Sequence, residues 1–184
     1  MLFEYETNRL RLKILDSFHA AKILDFYNEN KDFFNPYEPD RPEGFYTIKY
    51  QKSLSDFEYN GFLQGKFTRF YIFKKDNPNK IIGSVSFSNI QRGAFLSANI
   101  GYKIHTDYTN KGYAYEAIKK ALDIMFSDGG LHRIEAYILP SNTPSLALID
   151  KLGFRYEGVA TSYVKLHGEW ADHLRYSIIN SMHQ

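Results

Sequence analysis

Residues 101–117, GYKIHTDYTNKGYAYEA, constrain the fold more than any other stretch, because the hydrophobic period changes there within one short turn. Before the turn, residues 95–104 read as a strand opened by Gly93. After it, Ala114, Ala117, Ile118, Ala121, Leu122 and Met125 mark one face of a helix whose other face carries Glu116, Lys119, Lys120 and Asp123. Gly129 and Gly130 stop that helix. A strand that runs through a turn into a helix leaves the first-turn amides unpaired, and with the positive end of the helix dipole they suit an anion such as phosphate. Gly112 and Ala114 let a ligand approach the main chain. The same residues also suit an ordinary strand-to-helix turn with glycine for geometry.

Residues 7–14 alternate through Arg9, Leu10, Arg11, Leu12, Lys13 and Ile14, the period of two expected of a half-buried strand. Asp16 then caps a helix with Phe18, Ala21, Ile23, Leu24 and Tyr27 on its apolar face, ending near Asn30. Residues 33–46, FFNPYEPDRPEGFY, hold three prolines and a glycine, which forbid a long regular element and leave a loop full of rings. A second helix is predicted over 47–64, then strands over 67–74 and 80–89 joined by the turn Asp76-Asn77-Pro78-Asn79. Residues 133–139 read as a strand, and 144–152 as a short helix with Pro144 in its first turn and Gly153 just past its end. Strands from Phe154 and over 172–179 close the chain. This order predicts an α+β protein with helices packed on the faces of a sheet.

The 184 residues contain no Pro/Gly/Ser-rich or charge-rich divide, so one domain is expected over 1–184. Hydrophobic residues at 43% and charged residues at 24% argue against wholesale disorder. Fifteen Tyr and fifteen Phe would suit base stacking, but a net charge of +2 with interleaved signs offers no basic stripe, so no nucleic-acid partner is expected. Without cysteine there is no disulfide, thiolate nucleophile or cysteine-ligated zinc. The polar N-terminus and the lack of any apolar run of bilayer length predict a soluble, cytoplasmic protein made without a leader peptide. His105, His132, His167 and His173 lack metal-ligand spacing, so surface or turn roles and no metal are expected. No Gly-x-Ser-x-Gly elbow is present for covalent hydrolysis.

The run Thr109-Asn110-Lys111-Gly112-Tyr113-Ala114 resembles the diphosphate-binding motif of the GNAT acetyltransferases: Gln or Arg, two residues, Gly, one residue, then Gly or Ala. Thr109 departs from the first position, and Asn110 stands where glycine is usual. The resemblance implies that main-chain amides of Asn110, Lys111, Gly112, Tyr113 and Ala114 hold the diphosphate of acetyl-CoA. It also implies that Ile104, His105 and Thr106 bond the pantetheine arm as an added strand would. Residues 140–154, PSNTPSLALIDKLGF, resemble the family's Asn-x-x-Ser helix ending in Leu-Gly-Phe, which places Asn142 and Ser145 at the cofactor. Helix capping and a hydroxyl bonded to the preceding turn explain the same two residues structurally. Many members place a tyrosine seven residues after the asparagine as the acid for the leaving thiolate. Ile149 stands there in this chain, which leaves Ser145 as the candidate.

Residues 157–158 and 166–177, with the opening 7–12 and the loop 33–46, resemble the RimJ/RimL branch of ribosomal-protein N-terminal acetyltransferases over almost the whole chain. The resemblance implies a GNAT fold, a central twisted mixed sheet of about seven strands flanked by about four helices. It further implies acetyl-CoA as co-substrate without a metal, and a protein N-terminal α-amine as acceptor. A small antibiotic or metabolite amine, or an acyl-CoA-binding module without catalysis, remain alternatives. A homodimer is compatible with the sequence, which does not dictate it. The branch usually carries Glu before Ile-Gly-Tyr, whereas Asn99 stands there in this chain. At neutral pH roughly a tenth of an α-amine but under about a thousandth of a lysine amine is free base, so an N-terminal substrate needs little help. If a base is used, Glu135 or Tyr137, on one side of a strand, can hold a relaying water; plain strand structure accounts for them equally. Phe34, Tyr37, Tyr46 and Trp170 are candidates for the acceptor wall, the loop rings suiting lids over the core equally well; Glu38, Asp40 and Glu43 suit attraction of a cationic amine or the ordinary charge of a solvated loop.

Overall fold

A computed structural model describes residues 1–181. The N-terminal alternation builds a hairpin, β1 (Glu4–Glu6) and β2 (Leu10–Lys13), in which Leu10 and Leu12 are fully buried. Asp16 accepts a hydrogen bond from the Phe18 amide and starts a 3-10 turn over Ser17–His19, which leads into α1 (Ala20–Glu29). That tighter turn rotates the helix, so α1 buries Ala20, Ile23, Phe26 and Tyr27, while the expected face residues Phe18 and Ala21 are exposed. The ring-rich segment contains one helical turn, α2 (Lys31–Phe34), and then a 3-10 turn over Asn35–Tyr37 with Pro36 in its first turn. α3 (Ile48–Leu63) begins at Thr47, whose hydroxyl accepts from the Tyr50 amide.

β3 (Thr68–Lys74) and β4 (Asn77–Gln91) meet in a tighter turn than the Asp76–Asn79 one expected, since Lys74 already pairs with Asn77. Pro78 lies inside β4, where the register shifts between Phe73 and Lys74, so its missing amide falls in an irregular stretch rather than a regular ladder. The remaining elements are β5 (Ser97–Ile104), α4 (Tyr113–Ser127), β6 (Arg133–Ile138), α5 (Thr143–Lys151), β7 (Arg155–Leu166) and β8 (Glu169–Ile179). They complete an eight-stranded sheet in the order β1-β2-β3-β4-β5-β6-β8-β7. The strand beyond the expected seven is β1, and the added helix is α2.

On one face of the sheet Val85, Phe87, Ile134 and Ala136 pack with Ala117, Ile118, Ala121 and Met125 of α4 and with Ile149 of α5. In a second cluster Tyr71, Phe73 and Ile81 pack with Ile23, Phe26 and Tyr27 of α1 and with Phe34 and Phe45. Each large apolar side chain so buried contributes about 1.5–3 kcal/mol. The two clusters flank the middle of the sheet from α4 and α1, leaving the junction of β5 and β6 to form the site. Among the described residues no helix is long and apolar enough to cross a membrane.

Candidate active site

Every neighbouring pair of strands is antiparallel except β5 and β6, whose parallel ladder is limited to Ser97↔Arg133, Ala98↔Ile134 and Asn99↔Glu135. Past these pairs β5 runs on to Ile104 and β6 to Ile138, so their facing edges carry main-chain groups without a strand partner. A cleft of about 730 Å³ opens between them. Its walls include Gly101, Tyr102 and Ile104 of β5, Tyr137 and Ile138 of β6, Gly112 and Ala114 at the start of α4, and Asn142 and Ser145 at the start of α5.

The turn into α4 is built from left-handed residues, Asn110 at φ 56° and Gly112 at φ 77°. Asparagine tolerates this region better than most L residues, which explains how it occupies a place where the motif prefers glycine. Gly112 offers no side-chain cap, and the first intrahelical bond runs from the Glu116 amide to the Gly112 carbonyl at 3.1 Å. The amides of Tyr113, Ala114 and Tyr115 precede that bond and have no acceptor within the helix. All three residues border the cleft, and Lys151 lines the same end with its Nζ 4.9 Å over the Tyr115 ring. Lys151 and Tyr115 escaped the sequence pattern because they meet only when α5 docks beside α4.

The N-terminal segment clasps this turn. Glu116 accepts from the Thr7 hydroxyl at 2.6 Å, the Arg9 amide at 2.9 Å and Arg9 Nε at 2.6 Å. Arg9 Nη1 also donates to the Lys111 carbonyl at 3.1 Å, and its guanidinium lies 4.5 Å over the Tyr113 ring. Burial pushes the Glu116 carboxyl up, but the bonds from Thr7 and Arg9 outweigh it and hold the pKa below the usual carboxylate value. Glu116→Ala is therefore expected to cost about 2 kcal/mol of stability at neutral pH, as charged hydrogen bonds commonly do. Because the folded pKa is depressed, the contribution is complete above the unfolded pKa and is lost as pH falls through the folded one. The melting-temperature gap between wild type and variant should narrow as the pH is lowered through the acidic range. A gap that stays constant over that range would show that the charge of Glu116 is not what holds the turn.

Of the strand residues expected to meet the pantetheine arm, Ile104 lines the cleft and the next two turn away. His105 is buried, with Nδ1 accepting from the Asp107 amide at 3.1 Å and Nε2 donating to Glu29 at 2.8 Å. The Thr106 amide donates to Asn30 Oδ1 at 2.9 Å. Lys111 lies off the cleft wall and donates from Nζ to the Asp107 carbonyl. At α5, Asn142 Oδ1 caps the Ser145 amide at 3.2 Å, and the Tyr102 hydroxyl donates to the Ser145 carbonyl at 3.3 Å. Burial raises the Tyr102 phenol to about 12. The Ser145 hydroxyl stands on the cleft wall beside the Tyr102 phenol.

At the end of the cleft beside the aromatic loop, Phe34 and Tyr37 line the wall, as does Tyr137. Tyr46 does not: its ring packs on Phe45 with centroids 5.0 Å apart. Trp170, 65% exposed on the β7–β8 hairpin, does not reach the wall either. Glu135 lies beside the cleft rather than in its lining, and bonds Arg175 at 2.9 Å, Arg133 at 2.7 Å and the Tyr137 hydroxyl at 2.8 Å. Burial alone would raise its pKa, but these donors bring the carboxyl down to about 2. Burial and the Glu135 carboxylate together raise the Tyr137 phenol to about 12. Glu38 pairs with both Lys103 and Arg41, and His167 lies 2.7 Å from Asp40 and 3.0 Å from the Asn35 carbonyl. Those contacts hold the loop across this end of the cleft, from β5 to the β7–β8 hairpin. The Asp40 carboxylate, followed by the Asn35 carbonyl, raises the His167 pKa above its usual value.

Residues 9–155 match the acetyltransferase (GNAT) domain family. The chain belongs to the GNAT acetyltransferase family. It is 36% identical over 170 residues to the ribosomal protein uS5-alanine N-acetyltransferase of Escherichia coli strain K12, covering 91% of this chain and 86% of that protein. Its fold matches the crystal structure of ribosomal-protein-S5-alanine acetyltransferase from Vibrio fischeri with a TM-score of 0.91 at 31% identity, covering 97% of each chain. Mycobacterium smegmatis RimJ, solved in complex with CoA-disulfide, matches with a TM-score of 0.87 at 29% identity, covering 94% of this chain and 83% of that one.

Within the GNAT family this chain's departures have local explanations. The Thr109 hydroxyl donates to the Thr106 carbonyl at 2.9 Å, so the side chain supports the turn. Ile149 is fully buried against the sheet, which removes a proton donor from that position. Asn99 sits at the last paired position of the β5–β6 ladder, opposite Glu135.

Proposed function

We propose that the chain acetylates the N-terminal α-amine of a protein, of the ribosomal-protein alanine type, by direct attack of the amine on acetyl-CoA in a ternary complex. The observation that carries this proposal is the early end of the β5–β6 ladder at Asn99 and Glu135, which opens one cleft from the uncapped amides of α4, past Ser145, to the aromatic loop. The residues present fit acetyl-CoA. Amides of Tyr113, Ala114 and Tyr115 suit its diphosphate, with Gly112 permitting close approach and Lys151 adding a cation. The unpaired edge of β5 up to Ile104 suits the pantetheine arm, and Ser145 is placed to hydrogen-bond the departing sulfur.

Support for an α-amine comes from the acceptors named for the relatives and from the charge of the cleft. Glu38 is the one carboxylate on its wall among the described residues, and two cations hold it. An amine that is roughly a tenth free base at neutral pH suits such a site better than a lysine. A cytoplasmic location fits a ribosomal-type substrate.

The test uses acetyl-CoA with an alanine-initiated peptide, the same peptide N-terminally blocked but carrying a lysine, and spermidine. Thiol release and an added acetyl mass are expected on the first, at least about tenfold faster than on the blocked peptide, because the free-base fractions differ by more than about 100-fold. Faster transfer to spermidine than to the peptide overturns the N-terminal assignment. Binding of acetyl-CoA without thiol release to any amine leaves an acyl-CoA-binding module.

A further inference from the structure

The geometry points to His173 as the group that takes the proton of the attacking amine, a role that rests on the amine acetylation proposed above. His173 lies in β8 opposite Ala160 of β7, next to Leu174, whose pairing with Ile138 ends the β6–β8 ladder. It is 7% exposed yet lines the cleft. This differs from the surface or turn role its sequence context suggested. Its Nδ1 lies 3.1 Å from the Ala171 carbonyl oxygen. A carbonyl only accepts, so Nδ1 carries the proton and the neutral ring presents a lone pair at Nε2. Nε2 has no hydrogen-bond partner among the described residues and is not among the unpaired polar atoms sealed from solvent. The Tyr163 ring meets the imidazole edge-on at 5.5 Å and is itself stacked on Tyr137 at 4.3 Å, which fixes the ring plane.

His173 is also the one imidazole on the cleft wall among the described residues. The charged and titratable groups around it are already committed. Tyr163 of β7 and Tyr137 of β6 are phenols raised by burial, and Glu38 of the loop is paired with Arg41 and with Lys103 of β5. On β8 itself, Asp172 accepts from the Ser162 amide at 2.7 Å and Arg175 bonds Glu135 at 2.9 Å.

In the step, one proton of the substrate ammonium passes to Nε2, and the freed lone pair of the amine forms the N–C bond to the thioester carbonyl. The C–S bond breaks with its electron pair on sulfur. A second amine proton is lost to that thiolate, directly or through solvent, leaving the amide and the thiol. The imidazolium returns its proton to water. One ammonium and one thioester thus give one amide, one thiol and one proton.

His173→Gln is measured for kcat and kcat/KM on the alanine-initiated peptide from about pH 6 to about pH 9, with acetyl-CoA affinity determined in parallel. The expected result is a kcat lower by about tenfold near neutral pH, unchanged acetyl-CoA affinity, and a deficit that narrows as the amine deprotonates itself. Wild-type kcat, or a deficit constant across that range, overturns the assignment. If His173→Gln loses acetyl-CoA binding, His173→Asn is judged by the same criteria, and loss of binding in both variants also overturns it by making His173 a packing residue. Wild type inactive on every amine sinks the proposed function, whereas an active wild type with an unaffected variant sinks only the role of His173.

Discussion

Gly112→Val is expected to raise the acetyl-CoA dissociation constant about 100-fold, the equivalent of about 2.7 kcal/mol. The residue sits at φ 77°, where an L side chain costs on the order of 1–2 kcal/mol and a β-branched one more. A Cβ at this position would also lie 3.3 Å from Arg9 Nη2, part of the guanidinium that bonds the Lys111 carbonyl. The chain can relieve the strain only by rotating the peptides that precede α4, and that moves the amides of Tyr113, Ala114 and Tyr115 off the cleft. Asn110→Gly is the control, because glycine adopts φ 56° freely and leaves those amides in place. Calorimetric titration with coenzyme A measures both. A valine variant that binds within about threefold of wild type, under about 0.7 kcal/mol, would show that the ligand does not depend on this turn.

The same turn shows how far sequence alone reaches. Asn110 and Gly112 are legible because backbone conformation at positive φ is a local demand, met by few residue types. The face of α4 was equally legible, since Ala117, Ile118, Ala121, Leu122 and Met125 are all buried as their spacing predicts. The face of α1 was not, because the 3-10 turn at Ser17–His19 rotates it after the cap has been correctly identified. What the sequence hid in the site are partners brought together over long separations. Thr106 reads as a free strand-end amide until Asn30 takes it, and Glu135 reads as an available carboxylate until Arg175 arrives from β8. His173 is the converse, an unremarkable member of an alternating strand that becomes a cleft residue only where β6 ends beside β8. Local patterns thus located the left-handed turn into α4, while the end of the cleft beside His173 depends on strand order.

Ser145→Ala is expected to lower kcat on the order of 10²-fold, the loss typical of removing one donor to developing negative charge, with acetyl-CoA affinity unchanged within about twofold. The affinity should hold because the bonds that fix the start of α5 run to the main chain of Ser145. Asn142 caps the Ser145 amide and Tyr102 binds its carbonyl, so alanine keeps both contacts. With Ile149 in the core, the Ser145 hydroxyl on the cleft wall is the group at the start of α5 proposed to meet the sulfur as the C–S bond breaks. A serine hydroxyl is a far weaker acid than a thiol, so it stabilises the thiolate by hydrogen bonding, and solvent completes the protonation. That distinction has a pH signature. A group that does not titrate near neutrality gives a deficit that is flat across the range in which the loss from His173→Gln narrows. If the Ser145→Ala deficit instead closes as pH rises, the hydroxyl acts on the amine's proton and not on the leaving group. An unchanged kcat removes Ser145 from the chemistry altogether.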